Sequence, residues 1–356
     1  MKLNYRPEID GLRAIAVGAV ILYHAQITFF GFQPFKGGFI GVDIFFVISG
    51  YLISFIILKE LITTGSFSFK HFYERRIRRI LPALLFVILV SLPFAWIYLI
   101  PSRFVDFSES ILYSLGFSSN FYFHYSGQEY GAEVGGLKPF LHTWSLSVEE
   151  QYYLIFPFFL FFFYKTINKK IFIIVTVLII LSLTLNHLNI YKNPELKFYS
   201  IHTRIWELLV GSLILFIEKT KKIKRLKIHN SFFQYLGILL IIISIFFFND
   251  ETKHPSYLTL IPLIGASLII IADKNNGLIY KIISSKLFVS TGLISYSLYL
   301  WHFPLFAYSR ISELSKLGIN FKIIICILII FLSVISYKFI EKPFRDKKYK
   351  FKKLFI

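Results

Sequence analysis

Gly11-Leu-Arg-Ala-Ile-Ala-Val-Gly-Ala-Val-Ile-Leu-Tyr-His-Ala25 decides the class of fold. Its only basic side chains are Arg13 and His24, and the rest is small or apolar apart from Tyr23. Continued to Phe30, the run reaches the roughly 20 residues a helix needs to cross a bilayer core. No small-residue cleavage site follows it, so it reads as a retained span and not as a removable leader. Arg13 and His24 are eleven positions apart. At 3.6 residues per turn they fall on nearly the same helix face, separated by a rise of roughly 16 Å. An ionisable side chain inside a span costs about 2.5–3.5 kcal/mol on insertion scales, so both call for an explanation.

Similar apolar runs recur along the chain. They lie near 11–30, 38–58, 80–100, 148–164, 171–189, 202–218, 232–248, 257–273, 287–309 and 321–340. The expected fold is therefore all-α: a polytopic bundle of about ten transmembrane helices. Of the 356 residues, 56% are hydrophobic and 17% charged, with a mean hydropathy of +0.64, which is far from the balance of a soluble domain. Cys326 is the single cysteine, so neither an intrachain disulfide nor a cysteine metal site can form. In a soluble protein a net charge of +19 would raise nucleic acid as a partner. Here the basic residues gather between apolar runs, which fits anionic lipid and excludes nucleic acid.

The loop charges set the orientation. With the N-terminus inside, the cytoplasmic loops hold Arg75, Arg76, Arg78 and Arg79, then Lys165, Lys169 and Lys170, the lysine-rich run 219–227, and Lys274, Lys281 and Lys286. A basic cytoplasmic tail, 346–356, follows one membrane domain over 1–345, and both termini are expected inside. The outer loops keep only scattered cations such as Lys36, Arg103, Lys138, Lys192 and Lys253. The stretch 104–124 carries too many polar residues to cross. Counting it as a span would also invert every later loop, so 101–147 is placed outside, partly re-entrant.

Depth then groups the ionisable residues. His24 and Asp43 each lie about two helical turns from the same outer loop, on neighbouring spans. Glu207 falls at a similar depth with Arg204 one turn nearer the surface. His302, before Pro304, falls in the outer third of its span, and Glu149 and Glu150 stand at the outer end of the fourth. Histidine beside a carboxylate is the pattern of a base and its orienting group. Each residue also has a plainer reading. A lone intramembrane histidine often only bonds a neighbouring helix. Arg75–Arg79 reads first as a topology anchor, Glu149 and Glu150 as helix-terminal acids, Trp144 and Trp301 as interfacial belt residues, and the lysine tracts as solvated anchors.

The order of several short blocks adds to this. The opening Tyr5-Arg-Pro-Glu-Ile-Asp-Gly-Leu-Arg-Ala-Ile-Ala-Val17, the Arg13/His24 spacing and Gly41-Val-Asp-Ile-Phe-Phe-Val-Ile-Ser-Gly-Tyr-Leu-Ile53 come first. Two overlapping Arg-x-x-Arg units follow, Arg75/Arg78 and Arg76/Arg79. Then come His142-Thr-Trp-Ser-Leu-Ser-Val-Glu-Glu-Gln-Tyr-Tyr153, Ser295-Tyr-Ser-Leu-Tyr-Leu-Trp-His-Phe-Pro304 and Glu341-Lys-Pro-Phe-Arg345. With these blocks the chain resembles the membrane-bound acyltransferase family 3 over nearly its whole length. The resemblance implies an O-acyltransferase of the bacterial inner membrane. It would move an acyl group, acetyl by family expectation, from cytoplasmic acetyl-CoA to a hydroxyl of a lipid-linked sugar or surface polysaccharide. O-antigen or other lipopolysaccharide sugar, capsule, exopolysaccharide, a peptidoglycan unit and a small lipid all remain open as acceptors. It implies an essential His24, a supporting Arg13 and one important Arg-x-x-Arg unit. Some members append an SGNH-type esterase domain; this chain, ending at Ile356, is expected to lack it, which leaves acyl transfer to the membrane part or to a separate partner protein.

The expected mechanism places the phosphates of acyl-CoA on Arg13, Arg75, Arg76, Arg78 and Arg79, arginine being shaped for bidentate phosphate contacts. His24, oriented by Asp43, would deprotonate the acceptor hydroxyl, and an acyl-histidine intermediate stays open beside direct transfer. Trp144, Glu149, Glu150, Arg204, Glu207 and His302 would serve the acceptor side or relay protons. No bound cofactor and no metal are expected, acetyl-CoA being a co-substrate. The rival class is a transporter or exporter of a polysaccharide precursor or small anion, which also uses buried charges. The absence of an internal repeat and the cytoplasmic arginine cluster weigh against it.

Overall fold

A computed structural model of the chain describes residues 5–127, 134–167, 171–187, 194–219, 231–272, 277–314 and 318–346. Most of the lysine-rich run 219–227, the loop lysines Lys169, Lys170, Lys192 and Lys274, and all but Asp346 of the basic tail lie outside the described residues, as does most of the glycine-rich part of 101–147.

The helices in chain order are α1 (Pro7–Ala25), α2 (Gly41–Thr64), α3 (Phe69–Tyr98), α4 (Pro101–Leu115), α5 (Ser119–Ser126), α6 (Thr143–Ile167), α7 (Ile171–His187), α8 (Pro194–Tyr199), α9 (Ile201–Lys219), α10 (Ser231–Phe247), α11 (Leu260–Ile271), α12 (Leu278–Ile283), α13 (Lys286–Leu293), α14 (Ser295–Ile311), α15 (Ile319–Ile335) and α16 (Lys342–Arg345). A π-helical turn, Ser336–Glu341, joins the last two. Among the described residues there is no β-strand; the one bridge pairs Phe29 with Phe32.

Local signals set the helix ends. α1 opens on Pro7 with Glu8 and Asp10 in its first turn, where a missing N–H costs nothing and acids meet the positive end of the helix dipole. It closes on Gln26 in the left-handed region, whose N–H bonds the Tyr23 carbonyl. α2 stops at Gly65, also left-handed, bonded back to Leu61. The Ser68 side chain caps α3 by accepting the His71 N–H. Proline inside α3, α6 and α14 is accommodated as in other apolar helices, where neighbouring groups satisfy the freed carbonyls.

Among the described residues four helical stretches are long and apolar enough to cross a membrane: Gly38–Thr64, Phe69–Tyr98, Leu196–Glu218 and Ile319–Arg345. Ile171–His187, Ser231–Phe247 and Tyr257–Ile271 are shorter apolar helices. Many outward side chains are large hydrocarbons. α15 buries only Ile325, Ile329 and Ser333, while Ile327 is 61% exposed and Phe331 59%. Water would penalise such a face by about 25 cal/mol per Å² of apolar surface, whereas lipid would not. The molecule is a membrane helix bundle.

Two sequence expectations change here. The run 287–309 is not one helix: α13 and α14 are separate, broken at Ile294. Glu149 and Glu150 are not terminal acids either. The polar lead-in from Thr143 is itself helical, so Glu149 closes the second turn of α6 and Glu150 opens the third, beyond the strongest part of the dipole. The stretch 104–124 behaves as its polarity demands. It is two short helices broken at Gly116–Ser118, with Phe117 at positive φ. α5 folds back on α4: Tyr122 stacks on Tyr113 and its hydroxyl donates to the Asp106 carbonyl at 2.9 Å.

The chain forms two compact units, each from two segments. The first combines Met1–Phe67 with Ser145–Leu293; the second combines Ser68–Trp144 with Ile294–Ile356. In the first, α1 and α2 pack antiparallel while α2 and α9 run parallel. Gly50 lies against the Leu208 carbonyl and Gly211 against that of Val47, so close that an added Cβ would stand 1.7 Å and 2.0 Å from those oxygens. Small residues permit this approach where hydrocarbon offers no drive for helices to associate. Ser54, Ser212 and Tyr152 close the seam by buried hydroxyl contacts of 2.7 Å. In the second unit, buried Glu341 of the π turn accepts from Ser297 and Arg345.

Candidate active site

In the first unit the parallel seam places the third residue of α2 beside the fourth of α9. Arg204 Nη2 donates to Asp43 Oδ1 at 2.8 Å, and its Nη1 lies 3.1 Å from Glu207 Oε1. All three side chains are fully buried. The sequence placed Asp43 and Glu207 at similar depth with Arg204 one turn nearer the surface; in the structure Arg204 touches both carboxylates. Phe46 and Phe198 face the guanidinium, with ring centroids 5.5 and 5.6 Å from its central carbon. A guanidinium among aromatic rings and carboxylates is held in place, because burial strengthens its attraction to the carboxylates beside it.

Asp43 does not meet its expected partner. Its two oxygens are taken by Arg204 and by His254, whose Nε2 lies 2.8 Å from Oδ2. The reason is geometric. α1 and α2 are neighbours, but Asp43 faces α9, so the histidine that reaches it comes from the loop between α10 and α11. The sequence does not single out His254, which belongs to none of the apolar runs and none of the short blocks. The available signal was its place in an outer loop, on the same side as His24. Burial lowers the proton affinity of His254, the Asp43 carboxylate raises it and Arg204 lowers it again; the balance is a pKa shifted down from the usual imidazole value.

His24 occupies the last turn of α1, half-buried. Its ring contacts Tyr23 edge-on at 4.8 Å; Tyr23 meets Phe39 at 5.7 Å, and Phe39 meets His254 at 4.9 Å. The two histidines therefore flank a short aromatic run at one end of the first unit. The Tyr23 hydroxyl also donates to Asp250 Oδ1 at 2.8 Å, which ties the loop carrying His254 to the end of α1 carrying His24. Arg13, at the other level of α1, pairs with Asp10 at 3.5 Å. Near the start of α1, Arg6 bonds Glu8 at 2.7 Å, Glu218 at 3.3 Å and the Tyr51 hydroxyl. Glu149 accepts the Ser49 hydroxyl from α2, and Glu150 is half-buried beside it in sequence.

The remaining candidates fall in the second unit. Arg75, Arg76, Arg78 and Arg79 occupy the first three turns of α3. Arg75 is exposed, Arg76 and Arg79 are half-buried, and Arg78 is buried with its Nε on Glu74 at 2.9 Å. Arg76 lies over the Phe72 ring. Trp144 is buried at the start of α6. His302 is fully buried; its Nδ1 lies 2.5 Å from the Tyr299 carbonyl and its ring meets that of His142 edge-on at 5.4 Å. His142, a second histidine the sequence reading passed over, stacks on Phe303, and Tyr299 donates to its carbonyl at 2.9 Å. Among the described residues no cluster of histidine, cysteine or carboxylate groups has the form of a metal site.

An apolar bundle that buries an arginine between two carboxylates, one of them bonded to a histidine, carries the kind of ionisable group that marks a candidate functional site in a membrane protein. The family is defined by sequence: a model described as an acyltransferase domain matches residues 6–338, and the chain belongs to that acyltransferase 3 family. It is 34% identical, over 97% of its length, to a Staphylococcus aureus (strain MSSA476) protein named "Putative O-acetyltransferase SAS0844". It is 32% identical, over 98% of its length, to the protein named O-acetyltransferase OatA of Staphylococcus aureus (strain NCTC 8325 / PS 47). It spans 58% of the length of each of these relatives. No solved structure matches it.

Proposed function

We propose that the protein is a multi-pass enzyme of the bacterial cytoplasmic membrane. It would transfer an acetyl group from acetyl-CoA to a hydroxyl of an extracytoplasmic sugar, with His24 as the base. The observation that carries this reading is the placement of His24 at the same end of the first unit as the buried Asp43–Arg204–Glu207–His254 cluster, in a chain whose relatives are named O-acetyltransferases. By loop charge that end faces outward.

In the proposed reaction the acceptor hydroxyl gives its proton to His24 while its oxygen attacks the thioester carbonyl. The C–S bond then breaks, the sulfur takes the proton from the imidazolium, and CoA leaves as a thiol. Neither metal nor redox partner is needed for the balance. The cluster would act through position: Arg204 fixes the Asp43 carboxylate, and that carboxylate holds His254 at the end of the unit that carries His24. On α3, Arg75, Arg76 and Arg79 keep part of their surface open and suit the phosphates of the donor, while buried Arg78 suits a structural role.

Membranes given labelled acetyl-CoA and acceptor test the reading. His24→Ala is expected to lower transfer at least about 100-fold, the usual size of a general-base contribution. Transfer at the wild-type rate by that variant overturns it. One observation favours a second assignment of the base. Asp43 orients His254, so His254 with Asp43 has the form of a carboxylate–imidazole dyad. If His254→Ala loses transfer while His24→Ala keeps it, the dyad is the base.

A further inference from the structure

The loop that carries His254 also frames a cleft of about 570 Å³ in the first unit, lined by His187, Glu251, Thr252, Lys253, Ser256 and Tyr257 among others. We propose that this cleft is the docking site for a pyranose ring of the acceptor glycan. The proposal rests on the acyltransferase reading and names its second substrate's site.

Four observations support it. The volume falls in the range of about 300–1,000 Å³ typical of small-molecule sites. Tyr257 supplies a platform: one face stacks on His187 at 3.4 Å and 22°, yet the residue is 56% exposed. A sugar ring has an apolar C–H face that packs on such an aromatic surface. Beside Leu258, the rest of the lining is a carboxylate, an ammonium group, an amide and hydroxyls, which match the donor and acceptor hydroxyls around a pyranose rim. The loop is also preformed. Asn249 Oδ1 accepts the N–H groups of Glu251 and Thr252 at 3.1 and 3.0 Å, and Ser256 with Thr259 forms a reciprocal cap at the other end. A preformed site spends little binding energy on ordering itself.

The loop's anchors connect the cleft to the chemistry. Asp250 is held by Tyr23, the neighbour of His24, and His254 is held by Asp43. Both residues lie within the same loop as the residues lining the cleft. A glycan docked on Tyr257 is therefore bound by the segment whose two ties lead to the proposed base and to the buried cluster.

The test measures acetyl transfer in membranes at saturating acetyl-CoA, with the lipid-linked glycan fraction of the producing cells titrated in as acceptor. Tyr257→Ala is expected to raise the acceptor KM about tenfold or more with the acetyl-CoA KM unchanged, while Tyr257→Trp stays within about twofold of wild type, as loss and retention of a stacking face predict. An unchanged acceptor KM in Tyr257→Ala overturns the proposal, as does a rise in the acetyl-CoA KM instead. Should Tyr257→Ala fail to accumulate in the membrane, Glu251→Gln and Lys253→Met on the exposed loop take its place with the same two outcomes. His24→Ala runs alongside. If it is inactive while Tyr257→Ala titrates like wild type, only the cleft assignment fails. If His24→Ala transfers like wild type, or the wild type transfers nothing, the acyltransferase reading fails and the proposal with it.

Discussion

Arg204 is one cation between two buried carboxylates, and its removal would leave both in a medium that cannot solvate them. Breaking a buried pair from one side costs about 3–5 kcal/mol. Arg204→Met is therefore expected to lower the yield and apparent Tm of detergent-extracted protein sharply. The double variant Asp43→Asn/Arg204→Met should recover part of that loss, because one orphaned charge is gone. Fluorescence-detected size exclusion with a thermal ramp measures both. Equal melting of Arg204→Met and wild type would mean that the cluster is not a structural ion pair. Activity separates the roles further: if Asp43→Asn folds normally but transfers poorly, Asp43 serves the chemistry and not only the fold.

At the scale of elements, the parallel seam of α2 and α9 brings Asp43 to Arg204, and two glycines set its closeness. A side chain at Gly50 would collide with the backbone carbonyl of Leu208, which cannot rotate aside. Gly50→Val is expected to cost at least about 2–3 kcal/mol by overpacking and to reduce folded protein. Gly18 in α1 has nothing within 4 Å of an added Cβ. Gly18→Ala should be neutral or stabilise by about 0.5–1 kcal/mol, since alanine loses less backbone entropy in a helix. Measuring both Tm values checks the contrast; a Gly50→Val protein as stable as wild type would deny the close approach. The sequence motif around Asp43 contains Gly50, yet its periodicity alone does not say which helix the glycine faces.

At the scale of the whole molecule, orientation follows from charge asymmetry between loops. After Cys326→Ser removes the native thiol, a cysteine at Lys36 is expected to react with a membrane-impermeant maleimide on intact cells. One at Ser66 should react only after permeabilisation. Both sites are exposed, so a reversed pattern would reverse the topology and move the His24 end to the cytoplasm.

The sequence by itself determined that the chain is an all-helical membrane protein, that 104–124 is too polar for an ordinary span, and which family it belongs to. These follow from local quantities: apolar run length, turn residues, the spacing of short blocks. It also placed His24, Asp43, Glu207 and His302 at similar depths, with Arg204 one turn nearer the surface, because depth along a span is simply rise per residue. Only the tertiary structure decided which of them touch. It gave Asp43 to Arg204 and His254, left His24 beside Tyr23, brought His142 to His302 and broke the run 287–309 at Ile294. The rotation of each helix about its axis selects those partners, and close packing of small residues from distant segments sets that rotation. Apolar runs that are hydrophobic all round carry no stripe from which to read it.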